Sequence, residues 1–144
     1  MKRAGFTILV SIFLLGITVA PAAPESTLER IKNSGVFTIG VRNASPPFSF
    51  INKQNERAGF SNDLAMLVHK NIEKKLGKTV KLEMKETSPN TRIPLLTSMA
   101  VDLVTETMTD TRARRDSVDF SLTYFVTGAQ FIVKKGDNLK EKTF

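Results

Sequence analysis

The sequence has no cysteine and a single histidine among its 144 residues. Without cysteine the chain forms no disulfide, offers no thiol nucleophile or thiolate metal ligand, and has no residue for a cysteine-linked lipid anchor. The one histidine, His69, falls on the polar face of a predicted helix, where we expect a surface residue rather than part of a catalytic triad or a metal cluster. The phosphate-binding patterns GxGxxG and GxxxxGK are also absent, which argues against nucleotide binding. No cofactor and no metal are therefore expected.

Long apolar runs are missing too, apart from one near the start of the chain. Residues 6–19 are uncharged and apolar, a stretch shorter than the ~20 residues needed to span a bilayer, and they follow Lys2 and Arg3. Small residues and prolines come next, and their spacing favours cleavage after Ala22. Residues 1–22 are therefore predicted to be a secretory signal peptide. The mature chain is expected in the periplasm and is not expected to be embedded in the membrane.

The excess of basic residues does not indicate a nucleic-acid partner. The whole chain has a formal net charge of +7, but two of its basic residues lie in the predicted signal peptide, and about +5 remains without them. That charge is ordinary for an exported protein, so no nucleic acid is expected as a partner. A length of 144 residues amounts to one domain, which leaves no room for two ordinary lobes.

Alternating helices and strands are predicted along the mature chain. A capping-box sequence beginning at Ser26 predicts a short helix over residues 27–33, and a β-branched run predicts a buried strand over residues 36–42. Apolar spacings of three and four predict a helix over residues 63–76, with Asn62 as its N-cap. The other predicted elements are a hairpin at 48–51 and 57–60, strands at 80–84, 101–105 and 127–134, a helix at 91–98 and a polar or helical turn at 111–116. This order predicts an α/β fold.

Acidic residues cluster in the last third of the chain without a pattern that marks catalysis. Asp102 and Glu106 are four residues apart on a predicted extended segment, and Asp110, Asp116 and Asp119 follow. Nothing in this spacing pairs two carboxylates as a general acid and a general base. We expect these residues to act as helix caps and solvated charges.

The stretch TMTDTRARR at residues 107–115 indicates a binding site. It directly follows a predicted strand, and ligands of α/β proteins gather beyond the carboxyl ends of strands. Its hydroxyls, backbone N–H groups and arginines suit an anion, because a guanidinium grips a carboxylate with two parallel hydrogen bonds. Arginine clusters usually form solvated faces, and by itself the spacing is compatible with one, so that alternative stays open.

Three stretches together resemble the family 3 extracellular solute-binding proteins, the periplasmic amino-acid receptors of ABC importers. They are IGVRNASPPFSF from residue 39, SPNTRIPLL from residue 88 and VDLVTETMTDTRARRDSVDFS from residue 101. The resemblance implies the first lobe of a type 2 periplasmic-binding-protein-like α/β fold, with a mixed, mostly parallel sheet flanked by helices. It also implies that Arg114 clamps the α-carboxylate of a bound amino acid, with help from Thr107 and Thr109.

Two further arginines bear on the choice of ligand. The resemblance is closest to the glutamate/aspartate-binding members, where residues like Arg42 and Arg92 reach the side-chain carboxylate and an aromatic like Phe48 packs on the ligand. Two buried carboxylates need two sets of cationic donors, so glutamate or aspartate is the predicted ligand. From the sequence alone, Arg42 and Arg92 also fit exposed positions and Phe48 also fits a core position.

The chain departs from the family pattern in two ways. Met99 and Ala100 stand where the family usually has a glycine, so the left-handed stop of the preceding helix is expected to be strained or differently built. Family members are also about twice as long and close two lobes on the ligand. We therefore expect residues 23–144 to form an incomplete, truncated first lobe with an exposed sheet edge.

The predicted function is capture of glutamate or aspartate for delivery to an ABC permease in the inner membrane, without chemistry. Two alternatives stay open. One is a cyclohexadienyl-dehydratase-like enzyme of the same fold, acting on prephenate or arogenate. The other is a truncated product with no independent activity.

Overall fold

The structure is a computed structural model that describes residues 25–128 and 132–136. The predicted signal peptide, residues 1–22, lies outside the described residues. The helices are α1 Thr27–Ser34, α2 Phe60–Leu76, α3 Arg92–Thr97 and α4 Arg112–Arg115. The strands are β1 Val36–Val41, β2 Ala44–Ser45, β3 Ser49–Ile51, β4 Arg57–Ala58, β5 Lys81–Glu86 and β6 Leu103–Val104.

The main sheet is parallel and has β1 at its centre. Its strand order is β5-β1-β6; β5 runs beside β1 from Val36↔Lys81 to Val41↔Glu86, and β6 pairs with it at Ile39↔Leu103 and Gly40↔Val104. A central parallel strand is covered on both faces, which is why β1 is rich in β-branched and aromatic residues. The predicted α/β fold is confirmed.

A second, antiparallel sheet is formed by β2, β3 and β4. The predicted hairpin is confirmed as the β3–β4 pair, in which Phe50 faces Ala58. Strand β2 adds to it at Ala44↔Phe50, so pairing resumes just before the two prolines that follow. Among the described residues the main sheet is therefore wholly parallel, and the antiparallel strands form a separate, small sheet.

Helix α1 begins with the predicted capping box. The Ser26 hydroxyl accepts a hydrogen bond from the Glu29 N–H at 3.2 Å, and the Glu29 carboxylate accepts from the Ser26 N–H at 3.1 Å. The backbone hydrogen bond from Ser26 holds the pKa of Glu29 below its usual range. The helix ends at Gly35, which has a φ of 71°. Between these caps, Ile31 packs into the core.

Helix α2 begins earlier than the sequence predicts, and the prediction that Asn62 is its N-cap is wrong. The capping residue is Gly59, and Asn62 lies inside the helix, where its amide donates to the Ala58 carbonyl at 2.7 Å. The Asn62 side-chain oxygen also accepts from the Ser49 hydroxyl at 3.1 Å. A buried amide with both partners is satisfied, so Asn62 ties α2 to β3 instead of starting the helix.

The inner face of α2 covers the main sheet. The buried core consists of Ile31, Phe37, Ile39, Val41, Ala65 and Val80, and Val68, Ile72 and Leu76 of α2 pack against it. Leu67 belongs to the apolar pattern of the sequence but is exposed. Burying one such aliphatic side chain contributes about 2 kcal/mol, so these contacts hold the helix on the sheet.

His69 is not the surface residue that its place in the sequence predicts. Its side chain is 13% exposed, it stacks on Phe37, and its Nε2 lies 2.7 Å from the Val80 carbonyl oxygen. A carbonyl oxygen only accepts, so Nε2 carries the proton. His69 therefore connects α2 to the start of β5.

The last predicted strand, residues 127–134, falls partly outside the described residues. Thr127, Gly128 and residues 132–134 are described and are not in a strand. Among the described residues, no helix combines the length and the apolar composition needed to cross a bilayer.

A close backbone contact at Gly59 fixes the start of α2 against the loop after β2. The N–H groups of Phe60 and Ser61 donate to the carbonyls of Pro47 and Phe48, at 3.1 and 2.8 Å. Gly59 has a φ of 116°, and a Cβ there would lie 2.4 Å from the Phe48 carbonyl oxygen. Only glycine allows this approach.

The connection from α3 to β6 contains the expected left-handed residue. Met99 has a φ of 60° without being glycine, and its side chain is exposed. The Arg30 guanidinium donates to the Met99 carbonyl at 2.8 Å and also pairs with Asp102. The strained stop is therefore held in place by α1.

Gly59→Ala should lower the free energy of unfolding by about 3 kcal/mol, because strain at a positive φ adds to a backbone clash. Gly77→Ala, at the other end of α2, is the control. Gly77 has a φ of 65°, and a Cβ added there would meet no atom within 4 Å, so its cost should be about 1 kcal/mol. Urea unfolding of both variants measures the difference, and equal losses would contradict the assigned clash.

Met99→Gly should raise the free energy of unfolding by about 1 kcal/mol, because glycine adopts a positive φ without steric cost. Met66→Gly, on the exposed part of α2, is the matched control and should lose about 1 kcal/mol, since glycine disfavours a helix interior. Thermal and urea unfolding would measure both changes. A loss of stability in Met99→Gly would show that the left-handed stop is not strained.

Candidate functional site

A cavity of about 620 Å³ lies beyond the carboxyl end of β6. Its walls come from three parts of the chain: Ser45, Pro46 and Phe48; residues 107–110; and residues 120–127. A smaller cavity of about 310 Å³ lies beside Arg30 and Asp102, before the start of β6. Ligands of α/β proteins bind at the carboxyl ends of strands, so the larger cavity is the candidate site.

The predicted anion-binding stretch forms one wall of this cavity. Thr107 and Thr109 line it, and the half-buried Arg114 donates from Nη1 to the Thr109 carbonyl oxygen at 2.6 Å. The Thr111 hydroxyl caps α4 by accepting from the Arg114 N–H. Thr107 and Thr109 thus lie in the loop at the cavity, and Arg114, in α4, is tied to that loop through the Thr109 carbonyl without being among the described residues that line the cavity.

Phe48 lies on the wall contributed by the loop after β2. Its ring meets Phe125 edge to face, with centroids 4.8 Å apart and planes at 85°. Phe60, at the start of α2, approaches the rings of Phe125 and Tyr124. Phe48, Tyr124 and Phe125 thus contribute aromatic rings to the cavity lining, and Phe60 packs near two of them from outside that lining.

Arg92 is buried behind the threonine loop instead of lining the cavity. Its Nη1 donates to a Glu106 carboxylate oxygen and to the Thr107 carbonyl oxygen, both at 3.2 Å. Its Nε has no hydrogen-bond partner among the described residues. Arg92 therefore supports the loop that carries Thr107, and its contact with a ligand stays a prediction.

Arg42 follows β1 and is half-buried. Its carbonyl oxygen accepts a hydrogen bond from the Ser49 hydroxyl at 2.6 Å, which joins the main sheet to the small one. It is not among the described residues that line the cavity. Its role in ligand binding likewise stays a prediction.

The expectation that Asp102 and Glu106 are caps or solvated charges is wrong. Asp102 pairs with Arg30 and accepts from the Thr38 N–H at 2.8 Å. The side chain of Glu106 is fully buried. Sequence reasoning missed Glu106 as a site residue; the signal was an acid standing between two threonines directly after a strand, where solvent exposure is not expected.

Asp110 is the one acid among the described residues that line the cavity. Arg115 donates to it from Nε at 2.7 Å and also pairs with it through Nη2. The hydrogen bond from Arg115 holds the pKa of Asp110 below its usual range. Asp110 is therefore ionised and already paired.

The segment over residues 120–127 forms the outer wall of the cavity. The Tyr124 hydroxyl donates to the Glu106 carbonyl oxygen at 3.1 Å. Several apolar side chains of this segment remain exposed, Leu122 and Val126 among them. The segment is thus attached to the threonine loop through Tyr124 and to Phe48 through Phe125.

A parallel sheet, a loop suited to an anion at its carboxyl edge and aromatic residues in the cavity lining are features of α/β proteins that bind small molecules. The family model of the bacterial extracellular solute-binding proteins, family 3, matches residues 37–143. The chain belongs to this family.

Two relatives illustrate the similarity. A glutamine-binding protein of Geobacillus stearothermophilus is 37% identical over 119 residues, which cover 82% of this chain and 44% of the relative. A glutamate/aspartate import solute-binding protein of Escherichia coli is 34% identical over 123 residues, which cover 85% of this chain and 40% of the relative. The chain spans less than half the length of either protein.

Solved structures carry the same fold. The ancestral amino-acid-binding protein AncCDT-1, described as a precursor of cyclohexadienyl dehydratase, is similar with a TM-score of 0.61 and 35% identity, over 70% of this chain and 42% of that chain. A point mutant of the arginine-bound domain 1 of the Thermotoga maritima arginine-binding protein has a TM-score of 0.57 and 32% identity, over 68% of this chain and 71% of that chain. The type 2 periplasmic-binding-protein fold is thereby confirmed for part of its length.

Tyr124→Phe should lower the free energy of unfolding by about 1 kcal/mol, because it removes the hydrogen bond to the Glu106 carbonyl. Ser121→Ala is the control, since among the described residues its hydroxyl donates only to the adjacent Leu122 carbonyl, and its cost should stay below about 0.5 kcal/mol. Urea unfolding measures both variants. Equal losses in the two variants would mean that the Tyr124 hydroxyl does not attach the outer wall to Glu106.

Proposed function

We propose that this protein is the substrate-binding component of an amino-acid ABC importer and that it captures its ligand in the cavity beyond β6. The observation that carries the proposal is that Thr107 and Thr109 line that cavity and that Arg114, in α4, donates to the carbonyl of Thr109. The functions of the relatives support it. The proposed location is the periplasm, and the proposed partner is an ABC permease in the inner membrane.

The ligand's α-carboxylate is bound by Arg114. One Nη1 hydrogen bond fixes the guanidinium to the Thr109 carbonyl, and the remaining N–H donors, which bond no other described residue, can form a fork toward a carboxylate. The hydroxyls of Thr107 and Thr109 complete the acceptor positions of the same carboxylate. A charged head held by several fixed donors binds more strongly than one held by a flexible lysine.

The ligand's side chain is polar, and glutamate or aspartate is the proposed identity. Arg42 and Arg92 follow the strand ends that surround the site, and Phe48 provides a ring for the aliphatic part of the ligand. A relative that binds glutamate and aspartate supports an acidic ligand, whereas a relative that binds glutamine supports a polar one. Both relatives agree with a ligand that has a polar side chain similar in length to those of glutamate and glutamine.

We also propose that the protein binds its ligand without turnover. Asp110 lines the cavity, but it is ionised and paired with Arg115, which makes it a poor general acid. A second candidate function is dehydration of prephenate or arogenate, since a precursor of cyclohexadienyl dehydratase is among the similar structures. Turnover of either compound without amino-acid binding would replace the transport proposal.

Residues 23–144 are proposed to form the first lobe of a two-lobed receptor. The described residues match a larger share of the isolated domain 1 of the arginine-binding protein than of the longer AncCDT-1 chain. The second lobe would close over the cavity from the side of Phe48 and Thr107.

Arg114→Ala should weaken amino-acid binding by about 2 to 5 kcal/mol, because a buried carboxylate loses its cationic partner. The matched control is Arg112→Ala, which removes an exposed arginine of the same helix. Isothermal titration calorimetry of the full-length protein with the twenty amino acids identifies the ligand and gives both losses. Unchanged affinity in Arg114→Ala, or an equal loss in Arg112→Ala, would refute the site.

A further inference from the structure

Glu106 is a buried carboxylate that the proposed binding reaction does not use. Its side chain has no exposed area, and that of Arg92 is 8% exposed. The two are joined by a hydrogen bond of 3.2 Å from Nη1 to Oε2. Thr87 donates its hydroxyl to the other carboxylate oxygen, and Tyr124 donates to the backbone carbonyl. Glu106 is thus held in one position from three sides.

This ion pair lies directly behind the cavity wall. The same Nη1 of Arg92 donates to the carbonyl of Thr107, and Thr107 lines the cavity. Arg92 also keeps a buried Nε without a hydrogen-bond partner among the described residues. A buried guanidinium with an unused N–H donor can still interact with a polar ligand, but the positive charge of Arg92 is already compensated by Glu106.

The compensation of the Arg92 charge by Glu106 changes the relative affinity of the site for a ligand carboxylate and a ligand amide. Charges interact strongly where water is excluded, so a ligand carboxylate that approaches Arg92 is attracted by the guanidinium and repelled by Glu106. A ligand amide carries no charge and does not meet that repulsion. If Glu106 were absent, an arginine that faces the ligand would favour a carboxylate over an amide much more strongly.

We propose that Glu106 is a specificity-determining residue: by pairing with Arg92 it reduces the preference of the site for a side-chain carboxylate over the corresponding amide. The inference rests on the proposed function, since it takes the cavity as the amino-acid site with Arg92 on the side of the ligand's side chain. The wild-type protein should therefore bind L-glutamate and L-glutamine with affinities that differ by less than about tenfold.

The test is the ratio of the dissociation constants for L-glutamine and L-glutamate, measured by calorimetry on the full-length protein. Glu106→Gln keeps the shape of the side chain and removes its charge, so the ratio should shift at least about tenfold toward glutamate. Glu83→Gln is the matched control, because Glu83 is an exposed acid of β5 that pairs with Lys81. It should leave the ratio unchanged.

Glu106→Gln leaves Arg92 buried without its charged partner, which can destabilise the fold. A double variant removes this problem and keeps the test independent of the stability of the single variant. Arg92→Gln combined with Glu106→Gln removes both charges, and its ratio should stay within about threefold of the wild type. A shift of tenfold or more in the double variant would overturn the inference. So would a wild-type preference for glutamate above about a hundredfold.

The two proposals fail in different ways. If binding depends on Arg114 but Glu106→Gln leaves the ratio unchanged, the inference about Glu106 is wrong and the proposed function stands. If the wild-type protein binds neither amino acid, the inference about Glu106 is overturned, and the titration with the other amino acids decides the proposed function. A tenfold shift in Glu106→Gln with none in Glu83→Gln supports the role of Glu106.

Discussion

Strand β1 is paired on both sides, and the arrangement of the site depends on that pairing. Because β5 and β6 both run parallel to β1, all three strands end at the same edge of the sheet. The pairing continues one residue beyond the strands, where the N–H groups of Thr87 and Thr105 donate to the carbonyls of Val41 and Gly40. These bonds start the two loops that carry Arg92 and Thr107, so the register of β1 decides how those residues meet.

Two ion pairs, one half-buried and one buried, fix β6, which is only two residues long. Arg30 pairs with Asp102 before the strand, and Arg92 pairs with Glu106 after it. So short a strand forms few hydrogen bonds with its neighbour. The ion pairs on either side of it therefore help to hold it in place. Buried pairs seldom add much net stability, because desolvation offsets their attraction, but breaking one is costly. Their effect here is to define where the strand lies, and with it the threonine loop.

Local sequence patterns predicted most of the elements, whereas contacts between distant residues decided what the sequence did not reveal. The capping box at Ser26 and the left-handed stop at Met99 depend on neighbouring residues, so both were predictable. Asn62, His69 and Glu106 were misassigned because their partners come from other elements. The carboxylate of Glu106 meets groups 14 and 19 residues away, a pairing that no helical or strand period indicates.

The distribution of charge around the cavity distinguishes Arg114 from Arg92 and Arg115. Arg92 and Arg115 each face a carboxylate, Glu106 and Asp110 respectively, so each contributes little net charge to the site. Arg114 donates instead to a neutral carbonyl and has no acidic partner among the described residues. A guanidinium that is held in place without being neutralised keeps its full charge for a ligand. Of these three arginines, Arg114 alone keeps a charge that no described carboxylate offsets, which supports its proposed role as the partner of a ligand carboxylate.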